Sequence, residues 1–234
     1  MMTALTLGWV MTLGMPQGGK AAAPAPAAKD VMLKRVYKLD EKQGYTFEMT
    51  MGAGDGDLKI EGGFNWSAVK LDGTGADILI ETTKLRVSFN GQGEDAPDLP
   101  KPLTLKFDEF GMPTKIDLDE DSNPAIGLLV ACYLPNKGVA LGGTYPIKWE
   151  SSDGYKLDGT GTLIATGRLY EEHVSKIQFE AKTTEKSGGE GKISGTLYAN
   201  LDTGKLVKAE GTAEFESDGE KSTGKMVIAK VRQK

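Results

Sequence analysis

Asp117, Asp119, Asp121 and Asn123 in "DLDEDSN" alternate as hard oxygen donors do at the start of a calcium loop. An EF-hand also needs glycine at its sixth position and glutamate at its twelfth, where this chain has Ser122 and Leu128. The segment therefore reads as a solvated acidic turn whose charge suits a following helix N-terminus. "GAGDGDLKIEGG" (52–63) is glycine-rich, but it lacks the Lys-Ser/Thr ending of a phosphate-binding loop and reads as a hairpin turn. His173 is the single histidine and no GxSxG elbow occurs, so neither a hydrolytic triad nor a histidine-based zinc set is expected. By period two His173 shares a face with Ser175 and Ile177, at the edge of a core or on the surface. Cys132, the single cysteine, lies in "GLLVACYLP" and reads as a buried thiol, with no disulfide or CxxC site available. Trp66, Trp149, Tyr145 and Tyr155 could build a binding platform, although strand aromatics more often serve the core. No catalytic residue, cofactor or metal is expected from these clusters.

The 234 residues carry a net charge of -5 with no basic run, which argues against nucleic acid as a partner. Residues 1–30, "MMTALTLGWVMTLGMPQGGKAAAPAPAAKD", have an apolar stretch followed by small residues and an Ala/Pro run. That resembles a secretory signal and linker, too short for a membrane-spanning helix, although nothing before Lys20 is basic. Export, to a periplasmic or extracellular location, is the expectation. No transmembrane span is expected in the mature chain, and no cysteine near the cleavage zone suggests a lipid anchor.

Thirty-one glycines and recurring Asp-Gly pairs (72–73, 153–154, 158–159, 218–219) point to short strands and hairpins, hence an all-β chain. Strand-like segments fall near 31–39, 44–52, 56–68, 74–90, 101–108 and 113–118, then near 143–150, 155–168, 171–185, 190–200, 205–216 and 222–232. Alternation is cleanest late in the chain: Ile177, Phe179 and Ala181 share one face, opposite Lys176, Gln178 and Glu180. In "ADILIETTKLRVSF" the apolar phase switches between Ile80 and Leu85, so a bulge near Thr82 to Lys84 is required to keep both sets on one face. The loop 90–102 holds Pro97, Pro100 and Pro102 and reads as an exposed connection. "NPAIGLLVACYLPN" (123–136), apolar nearly all round and bracketed by Pro124 and Pro135, reads as one short buried helix.

"KLDGTG" occurs at 70–75 and, letter for letter, at 156–161. A second register aligns 56–64 with 154–162 and 105–116 with 198–209, placing Gly111 and Gly204 in equivalent turns; it is preferred, since turn chemistry alone can generate a short Gly/Asp identity. This suggests a signal and linker (1–30), a first β half (31–120), a helical crossover (121–142) and a second β half (143–234). The fold expected is two pseudo-repeated antiparallel sheets, curved as a half-barrel or sandwich and joined by the helix.

The segments "LKRVYKLDEKQGYTFEM", "LTLKFDEFGMPTKID", "LPNKGVALGGTYPIKWE" and "ISGTLYANLDTGKLVKAEGTAEF" resemble an uncharacterised family of exported bacterial β proteins, a domain of unknown function. In the boundary segment the resemblance lies in Leu134, Pro135, Val139, Gly142 or Gly143, and Trp149. It implies a duplicated, curved antiparallel sheet, loosely similar to periplasmic lipoprotein carriers, and an envelope location. It supplies no catalytic residues.

Two roles follow. The first is a structural or interaction module of the envelope whose space is filled by the helix. The alternative is a carrier or binding protein for a lipid or other apolar ligand, motivated by small residues on the expected inner face, Gly195, Gly211 and Ala213 among them. Its ligand-facing candidates are Leu129, Cys132, Ala181, Leu197, Ala199, Ala209 and Phe215. A hydrolase built on carboxylates stands third, and its pairing cannot be read from sequence.

Overall fold

A computed structural model describes residues 30–53, 56–115, 131–184, 189–217 and 220–231. Its first half holds β1 (Val31–Leu33), β2 (Lys42–Ala53), β3 (Gly56–Asp72), β4 (Gly75–Phe89), β5 (Gln92–Asp95) and β6 (Leu103–Phe107). Then come β7 (Lys137–Val139), β8 (Thr144–Glu150), β9 (Lys156–Leu169), β10 (Glu172–Thr184), β11 (Glu190–Asn200), β12 (Leu206–Ser217) and β13 (Glu220–Lys230). The all-β expectation holds. Among the described residues no helix is long and apolar enough to cross a membrane.

The expected pair of sheets is instead one eleven-stranded antiparallel sheet, ordered β5-β4-β3-β2-β13-β12-β11-β10-β9-β8, with β6 also on β4; β1 and β7 form a separate ribbon. The halves merge because β2 pairs with β13, from Gly224↔Met51 to Lys230↔Tyr45. Pairing gives both strands partners for backbone groups that two separate sheets would leave exposed at their edges. The sheet is not a closed barrel: β8 is a terminal strand and carries Pro146, a residue suited to edges.

The helix over 123–136 is not supported. Residues 123–130 lie outside the described residues, and 131–136 are not helical. Cys132 N–H donates to the Gly111 carbonyl at 3.0 Å and Leu134 N–H to the Phe110 carbonyl at 2.9 Å, an alternation that belongs to extended chain. Both side chains enter the core at 3% and 1% exposure. The acidic turn 117–123 also lies outside the described residues, as do residues 1–29. Loop 90–102 departs from expectation by contributing β5, and 34–39, expected as strand, is irregular.

The phase switch in β4 resolves as the sequence requires. Gly63 pairs with Lys84 and Phe64 with Thr82, so Thr83 is the extra residue of a bulge. Ile78 and Ile80 then share the core face with Leu85, although Ile78 and Ile80 are shut in and Leu85 is half-buried. Of the Asp-Gly pairs, 72–73 and 153–154 lie in turns, but Asp158 and Gly159 lie inside β9. Gly111 (φ +84) and Gly204 (φ +67) both occupy turns, where a Cβ would stand 2.5 Å from the Cys132 carbonyl oxygen and 2.1 Å from that of Lys34.

One sheet face carries the core. Segments 30–41 and 131–139 pack on it, contributing Leu33, Leu134 and Val139. Arg35 lies over the rings of Tyr37 and Trp66, 4.5 Å and 5.0 Å from their centroids, and donates to the Thr203 carbonyl at 3.1 Å. The other face meets solvent with ion pairs such as Lys59 with Glu48 and Glu61.

Candidate functional site

Antiparallel register arranges the core face in rows that run across both halves of the sheet. One row reads Leu163, Ile177, Leu197, Ala209, Ile228, Phe47, Gly62 and Leu85 from β9 to β4. The next reads Tyr145, Gly161, Phe179, Gly195, Gly211, Met226, Met49, Ile60 and Val87 from β8 to β4. A third reads Ile147, Gly159, Ala181, Ile193, Ala213, Gly224, Met51, Leu58 and Phe89. All side chains in these rows are apolar apart from the polar hydroxyl of Tyr145, because strand period two sends the intervening Lys, Glu and Thr residues to the solvent face.

The rows are covered unevenly. Ile147, Ile177 and Leu163 are buried, whereas Met49, Met51, Leu58 and Ile60 are half-buried and Val87 and Phe89 are 42% and 49% exposed. Over β8 to β12, with Ile147 in its lining, lies an apolar cleft of about 230 Å³. Phe179, Ile193, Leu197 and Ala209 form its floor; Met112, Tyr133 and Trp149 stand around it, with Lys156 the charged residue on its wall. Lys156 is engaged with Glu150 at 3.1 Å.

The glycines of the rows are not empty space. The Tyr145 ring occupies the position above Gly161, where a Cβ would come within 2.4 Å of it, and the Phe47 ring lies 2.6 Å from the corresponding point of Gly62. Tyr133 stacks between Phe110 and Tyr145, with centroids at 5.6 and 6.4 Å. A glycine of the rows thus seats an aromatic ring in each half, at Gly161 and at Gly62.

Cys132 is buried, as the sequence suggests, and burial pushes its thiol up to about 12, with Arg35 opposing. Burial likewise raises Tyr145, Tyr45 and Tyr133. Among the described residues, no group of three His, Cys, Asp or Glu side chains could share a metal ion, and His173 is exposed. A separate polar cleft of about 490 Å³ lies beside Gln43, Tyr170 and Glu171. Its charges pair with one another, Lys205 with Glu41 at 2.5 Å and Lys230 with Glu172.

Of the ligand-facing candidates, Leu197 and Ala209 line the cleft. Cys132, Ala181 and Ala199 are closed into the core at 3%, 4% and 1% exposure, so their position on the expected face does not bring them to a cavity. Leu129 lies outside the described residues; Phe215 belongs to β12, and its side chain is not among those described. Trp149 and Tyr155 border the cleft, while Trp66 and Tyr145 belong to the core. Sequence reasoning missed Met49, Met51, Met226, Val87 and Phe89. Their apolar phase was readable in "YTFEMTM", where Tyr45, Phe47, Met49 and Met51 alternate onto one face, but their openness was not.

No protein-family model matches the chain, and no curated protein matches it. The resemblance to exported β proteins thus stands on the quoted motifs. Among solved structures, a similar chain is the hypothetical lipoprotein YmcC from Escherichia coli (K12), 13% identical over 84% of this chain and 90% of that one, with a TM-score of 0.26. Superposition at that score constrains neither fold nor role.

Proposed function

We propose that this chain is a non-catalytic binding module of the bacterial envelope that holds an apolar, chain-like ligand on the core face of its sheet. The observation that supports this is the continuity of the apolar rows from the cleft at Phe179 and Leu197 to the half-open surface of Met49, Ile60 and Val87. A cleft of about 230 Å³ falls below the ~300–1,000 Å³ that encloses a whole drug-sized molecule. A flexible chain with one end in the cleft and the rest along the rows fits both the volume and the shape of the surface. The envelope location rests on the residues of the first thirty positions.

The reading as a structural or interaction module is favoured by the closure of Cys132, Ala181 and Ala199 into the core. Under it, the open rows meet a protein partner. Native mass spectrometry of the chain, purified without detergent, separates the two. A small-molecule adduct that is lost on denaturation, together with displacement of a fluorescent acyl probe, is the expected result. A bare mass and no probe binding at micromolar protein would overturn the ligand reading.

A further inference from the structure

β2 carries Met-Thr-Met at 49–51, and strand periodicity puts both thioethers on the core face. Met226 of β13 stands directly opposite Met49, and Gly224 directly opposite Met51. Opposed residues of an antiparallel pair have Cα atoms ~4.5–5.5 Å apart, and methionine is unbranched with three rotatable bonds. Three sulfurs at these positions are therefore within reach of one point. A Cβ on Gly224 would stand 3.4 Å from Met51 Cγ and 3.5 Å from the Thr50 carbonyl oxygen, so the Met51 chain lies over Gly224, beside Met226. All three methionines are half-buried, neither sealed into the core nor fully in solvent. Their neighbours in the rows are Phe47, Ile228, Leu58, Ile60, Gly211 and Ala213, which offer no carboxylate or imidazole to a hard or borderline cation.

We propose that Met49, Met51 and Met226 form a binding site for a soft monovalent metal ion, copper(I), held by three neutral thioether sulfurs. Thioethers select copper(I) over the harder divalent ions, and the apolar side chains of the neighbouring rows add to that preference. This rests on the register that brings three thioethers within reach of one another, and it shares Met49 with the surface proposed for the apolar ligand.

The test is anaerobic competition for copper(I) against bicinchoninate, using the full chain. The expected result is transfer of copper(I) to the wild-type protein, with at least a tenfold loss of affinity in Met49→Leu/Met226→Leu and retention in Cys132→Ala. Leucine is close to methionine in volume, so the packing of the rows is preserved. X-ray absorption of the wild-type complex gives a second readout that no folding defect can affect, with a first shell of sulfur alone expected. No transfer to the wild type, equal affinity in the double variant, loss of binding in Cys132→Ala, or a shell containing nitrogen or oxygen would each overturn the site.

Discussion

The same rows cross both halves of the sheet, yet the halves use them differently. On β8 to β10 the rows carry Tyr145, Ile147, Leu163 and Ile177, none more than 3% exposed. On β2 to β4 the equivalent positions carry Met49, Met51, Leu58, Ile60, Val87 and Phe89, which are half-buried or exposed. Hydrophobicity is alike in the two sets; cover is not. The second half lies against the extended segment 131–134 and stacks Tyr133 on Tyr145, whereas in the first half cover extends over Tyr45, Phe47, Phe64, Trp66, Ile78 and Ile80 and stops there, leaving the rest of its rows on a surface that water reaches. Apolar area left half in water forgoes part of its contribution to folding, roughly 25 cal/mol per Å², and remains available to a ligand.

Substitution in matched positions sharpens the contrast. The largest effect is expected for Ile177→Asp, which buries an unpaired charge and should abolish the cooperative unfolding transition in circular dichroism. Ile60→Asp in the open half should keep the fold and lose acyl-probe binding. If Ile60→Asp unfolds the chain as completely, the distinction between the halves fails. Next, Leu163→Ala should cost about 2–5 kcal/mol in urea melts, and Leu58→Ala less than half as much, because a half-buried site leaves a smaller cavity. Third, Gly161→Val drives side-chain atoms into the Tyr145 ring and should cost about 1–3 kcal/mol. Gly224→Ala meets only the movable Met51 side chain and should stay within about 0.5 kcal/mol.

The smallest effect concerns pH. The folded state raises the Cys132 thiol from 9.0 to about 12, so the neutral thiol is favoured by folding. That contribution is complete below pH 9 and is lost as pH rises toward 12. Cys132→Ala should therefore flatten the fall of the melting temperature over that range, and an unchanged slope would place the titration elsewhere.

Period two made the long strands legible, and most strongly in 171–216, where charged residues mark the solvent face without a break. The bulge at Thr83 was legible for the same reason, since two apolar sets in opposite phases can share a core only through an extra residue. "NPAIGLLVACYLPN" failed because a continuously apolar run has no phase to read; its described end is extended, held by the Phe110 and Gly111 carbonyls. The two copies of "KLDGTG" show how little a short identity fixes. At 70–75 it turns from β3 into β4 with Gly73 at φ +61, while at 156–161 it runs straight within β9. The duplication rests on the preferred register, in which Gly111 and Gly204 both occupy turns. The joining of the halves was invisible, because β2 and β13 recognise each other across most of the chain. The open rows were readable in "YTFEMTM" as apolar, but cover depends on what packs above them, which no local pattern encodes.

The pairing of β2 with β13 also orders events in time. Tyr45 finds its partner at Lys230, so the seam between the halves closes only after nearly the whole chain has been synthesised. Contacts of such long sequence separation form late and slowly. The seam that completes the sheet cannot form while its C-terminal strand is still on the ribosome.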